Sequence, residues 1–239
     1  MEAIITNWSR SDLKLDTDAV LRGQGADPQI IRGRRPSLVT VAGQALEKGY
    51  PLLEPRVIQR RMQVQSLRHE KLILESGFSI QGAWISSFLA PAEYVIAIIC
   101  TVGEKIDQVA SQVMQNDMLL GLALDGVGSA GVESLAQLVC KQVEDLAAAE
   151  GKQTSVPLSP GMLNWSVDEG QPILFEMCSP SQIGVELNSS FMMKPRKSLS
   201  LLVGVGAHMG IKGSSCDYCA MQGTCKYRDD GGHLQLQPG

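Results

Sequence analysis

The stretch from Pro157 to Gly206 reads PLSPGMLNWSVDEGQPILFEMCSPSQIGVELNSSFMMKPRKSLSLLVGVG, and this stretch decides the fold. It opens with a loop rich in proline and glycine. The apolar run Pro172–Met177 then predicts a strand, and Pro180–Ile183 predicts a short helical turn. Ser198–Val205, rich in leucine and valine, predicts a second strand at the end of the stretch.

The residues just before this stretch alternate between strand and helix patterns. Tyr94–Cys100 (YVIAIIC) is a β-branched apolar run that predicts a buried strand. Thr101 is followed by Glu104 at capping-box spacing, which predicts that a helix begins there. Met118–Glu150 keeps apolar residues at helical spacing and predicts the longest helix of the chain.

The first ninety residues carry weaker patterns. Pro36–Gly49 has apolar residues at helical spacing and ends at a glycine, which predicts a helix. Alternating segments within 55–64 and 72–80 predict antiparallel strands, and 80–89 predicts a short helix.

Small residues crowd the first half of the long predicted helix: Gly126, Gly128, Ser129, Ala130 and Gly131. Glycine lowers helix stability, so such a cluster indicates the close approach of another backbone or of a ligand. From the residues alone, tight helix packing is the preferred interpretation.

Two motifs in the deciding stretch resemble the S-adenosylmethionine-binding activation domain of cobalamin-dependent methionine synthase. Leu158–Gly161 (LSPG) with a nearby Trp165 is similar to that family's Pro-Gly loop, and Ser190–Ser200 (SFMMKPRKSLS) is similar to its Ser-Phe-Ala-Met-x-Pro motif. The resemblance extends upstream to about residue 95 and is vague before that. It implies an α+β fold with a bent antiparallel sheet flanked by helices.

The resemblance also implies a ligand site. Glu133 matches the helical glutamate that the family uses on the nucleoside, and the loop would add further contacts. The residues expected to bind S-adenosylmethionine are Glu133, Ser159, Pro160, Gly161, Met162, Ser190 and Met193. A rigid Pro-Gly turn supports this assignment, because its backbone groups can reach an adenine or a carboxylate. An ordinary acid on the helix surface is the alternative for Glu133.

The chain departs from the family pattern at two places in the loop. Pro157 stands where the family has an arginine, and Met162 stands where it has a tyrosine. The arginine would hold the ligand's carboxylate through paired hydrogen bonds, which proline cannot make. Arg196 or Lys197, in the second motif, is the substitute that the sequence offers.

The composition changes sharply after residue 206. We expect residues 1–206 to form one activation-domain-like domain and residues 207–239 to form a cysteine-rich metal-binding segment. Cys216, Cys219 and Cys225 have the spacing C-x2-C-x5-C, which suits a soft metal or a cluster. The fourth ligand would come from His233, His208, Asp217 or an exogenous group.

The spacing of these cysteines does not distinguish zinc from an iron–sulfur cluster. We favour the cluster, because reducing the cobalt of a corrinoid requires a low-potential electron. A zinc knuckle that only holds the tail in place is the alternative, and a metal-free reactive dithiol ranks last.

Composition and charge limit the partners. Apolar residues make up 44% and charged residues 19% of the 239, and the net charge of −4 argues against nucleic acid. No apolar run has the length of a membrane span, and no signal-peptide pattern opens the chain. The cysteine usage indicates a cytoplasmic protein with reduced thiols.

These observations favour a protein that supports reductive methylation of a corrinoid protein or of a short cobalamin-dependent methionine synthase. S-adenosylmethionine would donate the methyl group, and the cobalamin would be supplied by the partner. No catalytic residue is predicted, because no nucleophile–base or paired-carboxylate constellation is visible. The alternatives are a non-catalytic corrinoid-protein partner and an iron–sulfur electron carrier.

Overall fold

A computed structural model describes residues 2–162 and 165–209 together with Asp217. Seven helices are described: α1 (Thr17–Gly23), α2 (Pro28–Arg34), α3 (Pro36–Gly49), α4 (Ala83–Leu89), α5 (Lys105–Met114), α6 (Met118–Ala149) and α7 (Val167–Cys178). Nine strands are described: β1 (Ile4–Asn7), β2 (Arg56–Arg68), β3 (Lys71–Leu74), β4 (Ser79–Gln81), β5 (Tyr94–Thr101), β6 (Gln153–Thr154), β7 (Glu186–Leu187), β8 (Met193–Lys194) and β9 (Ser198–Gly206).

Seven of the described strands form one antiparallel sheet. Its order is β4-β3-β2-β5-β9-β6, and β1 also pairs with β2. The long strand β2 pairs with β5 over Arg56–Gln63, and its register towards β3 shifts between Val64 and Ser66. A bulge of this kind bends a strand, so the sheet curls at this point. The strands β7 and β8 form a separate hairpin.

Helices cover both faces of the sheet, which explains why the central strand β5 is apolar at successive positions. Ile98 and Cys100 face a core layer built with α1, α3, α5 and α6. Val95 and Ile99 face a second layer built with α4 and α7. The predicted α+β architecture, a bent antiparallel sheet flanked by helices, is confirmed.

The long helix α6 lies at the centre of the first layer. Within the described residues it is the one helix long and apolar enough to cross a membrane, judged by length and composition alone. Most of its apolar stretch is buried against the sheet and the neighbouring helices. It is therefore the core helix of the domain.

The glycines of α6 are explained by packing. A Cβ atom at Gly126 would lie 2.8 Å from the carbonyl oxygen of Val20 in α1, and one at Gly128 would lie 2.8 Å from Cγ of Lys197. Gly131 packs against Leu53 in the same way. The packing interpretation is confirmed, although these glycines contact α1 and the loops rather than the sheet.

The strand predicted at Pro172–Met177 is wrong, because this segment belongs to α7. The buried residues of α7 are Gly170, Gln171, Leu174, Met177 and Cys178, which is helical spacing. The six residues from 172 to 177 are too few to display that repeat, and their apolar character alone is shared by strands and helices.

The capping box predicted at Thr101 and Glu104 is also wrong. Thr101 is the last residue of β5, and α5 begins at Lys105 with Glu104 as its N-cap residue. The Thr101 hydroxyl instead accepts a hydrogen bond from the N–H of Gly103 (3.1 Å). Gly103, at φ +81°, makes the turn between strand and helix.

We expect Gly126→Ala to destabilise the protein by about 1 to 3 kcal/mol, because the methyl group would press on the backbone of α1. Gly43→Ala is the matched control, since nothing lies within 4 Å of a Cβ atom at that position in α3. It should stabilise the helix by about 0.5 to 1 kcal/mol. Urea unfolding of both variants checks the prediction, and equal effects would contradict it.

Candidate functional site

The loop that follows β6 leaves the sheet at Ser159. Just before it, Leu158 pairs with Leu202 of β9 through two backbone hydrogen bonds of 2.9 and 2.8 Å. Pro160 cannot continue this ladder because it lacks an N–H group. Gly161 then turns the chain at φ +97°, a conformation that other residues rarely adopt.

The N–H groups of the described loop residues Ser159, Gly161 and Met162 all have partners within the same segment. The N–H of Ser159 contacts Sδ of Met162 (3.2 Å), the N–H of Gly161 donates to the carbonyl of Trp165 (2.7 Å), and the N–H of Met162 donates to the carbonyl of Ser159 (3.1 Å). The polar groups that the described loop residues keep for a ligand are the Ser159 hydroxyl and the backbone carbonyls, of which those of Ser159 and Met162 already accept hydrogen bonds. The expected contacts of these loop residues with S-adenosylmethionine stay a prediction.

Helix α7 packs directly against the loop. Trp165 is only 1% exposed and lies in the second core layer. A Cβ atom at Gly170 would lie 2.7 Å from Cγ of Pro160 and 2.8 Å from Cε2 of Trp165. The absence of a side chain at Gly170 thus lets α7 press directly against the loop.

Glu133 lies on the other side of the sheet, half-buried on α6. Its carboxylate adds to the raised pKa of two buried thiols, Cys100 and Cys140, so it lies near them in the first core layer. Cys100 pairs with Leu199 of β9. Glu133 and the loop therefore flank the same strand from opposite faces of the sheet.

The edge of β9 connects these two groups. The segment 153–158 covers this edge from Gly206 to Leu202, through β6 and the Leu158 bridge. No described strand continues the pairing from Leu201 to Ser198. This uncovered edge, with Glu133 on one side and the Ser159–Met162 loop on the other, is the candidate site.

The second sequence motif forms the β7–β8 hairpin and the approach to β9. The side chain of Asn188 accepts hydrogen bonds of 2.9 Å from the N–H groups of Ser190 and Met192 and so closes the hairpin loop. Ser190 is exposed, whereas Met193 packs against the second core layer. Met193 thus shares a layer with the Ser159–Met162 loop, and Ser190 does not.

The two cations that could replace the family's arginine already have acidic partners. Nζ of Lys197, whose side chain is 12% exposed, lies 2.8 Å from Asp125 and 2.9 Å from the Ser129 hydroxyl. The Arg196 guanidinium, 62% exposed, lies 3.5 Å from both Asp107 and Asp125. Lys197 is thus engaged by short contacts, whereas Arg196 is largely exposed and makes only long ion pairs.

The buried residue Pro157 offers no charge for a carboxylate. The acidic partners Asp107 and Asp125 and the buried Gln171 were missed by sequence reasoning. Gln171 carries a signal that could have been used, since it is an amide within the buried apolar set of α7.

The three described cysteines are expected to be unreactive as nucleophiles and as metal ligands. Burial raises the pKa of Cys100 and of Cys178 to about 12, and burial also raises the pKa of Cys140. Thiols with such values stay protonated at neutral pH and are poor nucleophiles and ligands. All three are free and buried, as structural cysteines are.

Cys216, Cys219 and Cys225, the predicted metal ligands, lie outside the described residues, as does His233. Within residues 2–162 and 165–209 and Asp217, no group of three His, Cys, Asp or Glu side chains could hold a metal ion. The metal site therefore stays a prediction.

Comparison with solved structures gives a clear match. The crystal structure of the MetH reactivation domain bound to AdoHcy superposes with a TM-score of 0.68, over 91% of this chain and 83% of that chain, at 15% sequence identity. The chain has the fold of this reactivation domain. Because the match leaves out only about a tenth of the chain, it extends into the first ninety residues, where the sequence resemblance was vague. No family model and no curated protein matches the sequence.

The reactivity of the thiols in the folded protein tests the burial of Cys100, Cys140 and Cys178. A variant with Cys216, Cys219 and Cys225 all changed to Ser should not react with Ellman's reagent at pH 8, because burial keeps the remaining three thiols protonated and covered. The same variant in 6 M guanidinium should release one equivalent of product from each of Cys100, Cys140 and Cys178. Reaction of the folded variant within minutes would contradict the burial of these side chains.

Proposed function

We propose that this protein binds S-adenosylmethionine and presents it to a corrinoid protein, or to a short cobalamin-dependent methionine synthase, for reductive methylation. The observation that carries the proposal is the shared fold with a domain whose structure holds AdoHcy. In this chain, the loop that matches the family motif lies beside β9, at the part of that strand with which no described strand pairs.

The residues at this edge suit a ligand that is cationic and rich in hydrogen-bond donors. The N–H groups of Ser159, Gly161 and Met162 are already used, so this loop would offer a ligand its carbonyl oxygens and the Ser159 hydroxyl. Glu133 would contribute a carboxylate from the other side. S-adenosylmethionine carries an adenine amino group, ribose hydroxyls, an ammonium group and a sulfonium centre, all of which attract such oxygens.

The chemistry belongs to the ligand and the partner, and this chain supplies positioning. When bound, the sulfonium gives its methyl group to a cobalt(I) that an external one-electron donor has produced from cobalt(II), and S-adenosylhomocysteine remains. The loop and Glu133 would hold the adenosyl part while the partner brings its cobalamin to the sulfonium. Correct placement of the reacting centres can account for much of the rate of such a transfer.

The segment 207–239 would add a redox or structural function. Its thiols Cys216, Cys219 and Cys225 would bind an iron–sulfur cluster, or else a zinc ion. The fourth ligand would be His233, His208, Asp217 or an exogenous group. We place the protein in the cytoplasm, where such thiols stay reduced.

A second function is favoured by one observation. Pro157 occupies the place of the family's arginine, and Arg196 and Lys197 are paired with Asp107 and Asp125. With no cation held for the ligand's carboxylate, the chain would serve as a non-catalytic partner of a corrinoid protein.

Calorimetric titration with S-adenosylmethionine separates these two functions. We expect saturable binding to the wild type and a roughly 10-fold or greater loss of affinity in Gly161→Ala, because a side chain strains the loop at φ +97°. Gly151→Ala is the matched control, since Gly151 also has a positive φ (+71°) and open space but lies outside the loop.

Gly151→Ala should lose stability as Gly161→Ala does but keep its affinity. Absence of binding by the wild type at millimolar ligand would exclude the methyl-donor function and leave the partner function.

Anaerobic purification followed by absorbance spectroscopy and metal analysis tests the cysteine segment. We expect iron and sulfide with a broad absorbance near 400 nm, typical of a [4Fe–4S] cluster, and loss of both in Cys219→Ser. Cys178→Ser is the control, because Cys178 is the fully buried last residue of α7 and should not affect the metal content. A colourless protein with one zinc ion would exclude the electron-transfer function.

A further inference from the structure

Four large apolar side chains are exposed where α5 ends and α6 begins. Met114, Met118, Leu119 and Leu122 are between 37% and 73% exposed. The three on α6 share a face of the helix, because residues three and four apart are neighbours there. Met114 adjoins them, since a Cβ atom at Gly121 would lie 2.7 Å from Cβ of Met114. We call these four residues the apolar patch.

The patch is larger than any other group of exposed apolar residues along the described chain. The others are single residues or pairs of sequence neighbours, namely Ile4, Ile5, Ile30, Leu67, Leu146, Phe191 and Met192. Isolated exposed apolar residues are normal in soluble proteins, whereas a contiguous group marks a surface that another molecule covers. The patch holds no charged side chain, so the surface that covers it must also be apolar.

Helix α6 connects the patch to the candidate site. Its accessible residues follow one stripe at helical spacing, from Leu122 through Asp125 to Glu133. The eleven residues from Leu122 to Glu133 make about three turns and span about 16 Å, so both side chains lie on the same side of the helix. The patch therefore lies beside the site and is not part of it.

Helix α5 leads from the patch to the same place. Asp107, near the start of α5, lies about two turns before Met114. The Arg196 guanidinium lies 3.5 Å from both Asp107 and Asp125, and Arg196 comes two residues before Ser198, where β9 begins. The start of β9, at the uncovered part of its edge, is thus within about two helical turns of the patch along each helix.

The C-terminal segment of the chain departs from the opposite end of β9. Met209, the last residue described before that segment, packs on Gly204, where a Cβ atom would lie 3.0 Å from Cε of the methionine. Gly204 and Ser198 are six residues apart, which is about 20 Å along a strand. A partner that approaches the candidate site is therefore a better occupant of the patch than residues 210–239.

We propose that the apolar patch is the docking surface for the corrinoid protein, which lays an apolar surface of its own on the patch while its cobalamin reaches the candidate site. The inference rests on the proposed function, because that function requires a corrinoid protein to approach the site. Docking beside the site leaves the site itself to the cobalamin and S-adenosylmethionine. The two methionines suit such a surface, since their flexible side chains adapt to the shape of a partner.

The test uses one probe, a short cobalamin-dependent methionine synthase loaded with cob(II)alamin, titrated anaerobically by calorimetry into full-length variants. Leu119→Gln/Leu122→Gln removes half of the patch. Leu67→Gln/Leu146→Gln is the matched control, because it makes the same change at two leucines that are 45% and 57% exposed outside the patch. Glutamine has nearly the helix propensity of leucine, so the substitutions spare the helix.

We expect the wild type and the control to bind the synthase equally. Leu119→Gln/Leu122→Gln should bind it about 10-fold or more weakly, because two apolar contacts are lost. All three proteins should bind S-adenosylmethionine alike, since the patch lies beside the ligand site.

Equal binding of the synthase by all three proteins would overturn the inference and leave the proposed function standing. Self-association of the wild type in sedimentation, abolished by Leu119→Gln/Leu122→Gln, would also overturn it, because the occupant would then be a second copy of the chain. A urea midpoint of that variant well below that of the control would overturn it too, since the chain itself, through residues 210–239, would then cover the patch. Failure of the wild type to bind the synthase with S-adenosylmethionine present would overturn the proposed function and the inference together.

Discussion

The antiparallel pairing of β5 with β9 is the constraint on which the rest of the structure depends. Eight consecutive pairs join these strands, from Tyr94 with Val205 to Thr101 with Ser198. About a hundred residues separate the partners, and this intervening chain has to fold around the ladder. It supplies α5 and α6 to one face and α7 to the other, so each layer of the core is closed by the same pairing.

The same pairing positions the candidate site. Because β9 is followed at its edge only by the short β6 and the Leu158 bridge, its first half stays uncovered by any described strand. The Ser159–Met162 loop leaves the sheet where this coverage ends, and Glu133 reaches the strand from the α6 side. The partly buried pair between Lys197 and Asp125 fixes the chain just before β9 against α6, and Gly128 provides the space for the lysine stem. A charge pair and a glycine thus hold the scaffold of the site.

The sequence predicted the elements whose pattern is local and complete. Tyr94–Cys100 and Ser198–Val205 are buried strands, and the helical repeat of Met118–Glu150 is long enough to be unmistakable. The strand predicted at Pro172–Met177 was wrong, because the apolar residues of such a short segment fit a strand as well as a helix. The contacts of α7 with Pro160 and Trp165, which the sequence does not show, reveal which face of the helix is buried. The loop was located correctly by its Pro-Gly motif. The pairing of Arg196 and Lys197 with Asp107 and Asp125 was not predictable, because it joins positions some seventy to ninety residues apart.

The distribution of charge and hydrogen-bonding groups bears on which state of the ligand the site would favour. A loop whose described N–H groups are already used and a carboxylate at Glu133 together attract donors and positive charge more than anions. S-adenosylmethionine is more positive than S-adenosylhomocysteine by the sulfonium charge. A site of this composition would therefore hold the donor more tightly than the product, since the attraction to these oxygens falls when the methyl group leaves. The absence of an arginine at position 157 does not change this preference, because such an arginine would bind the carboxylate that both molecules share. In the proposed role, the chain would bind the carboxylate common to both molecules only weakly. The charge of the sulfonium would then be the main distinction between substrate and product.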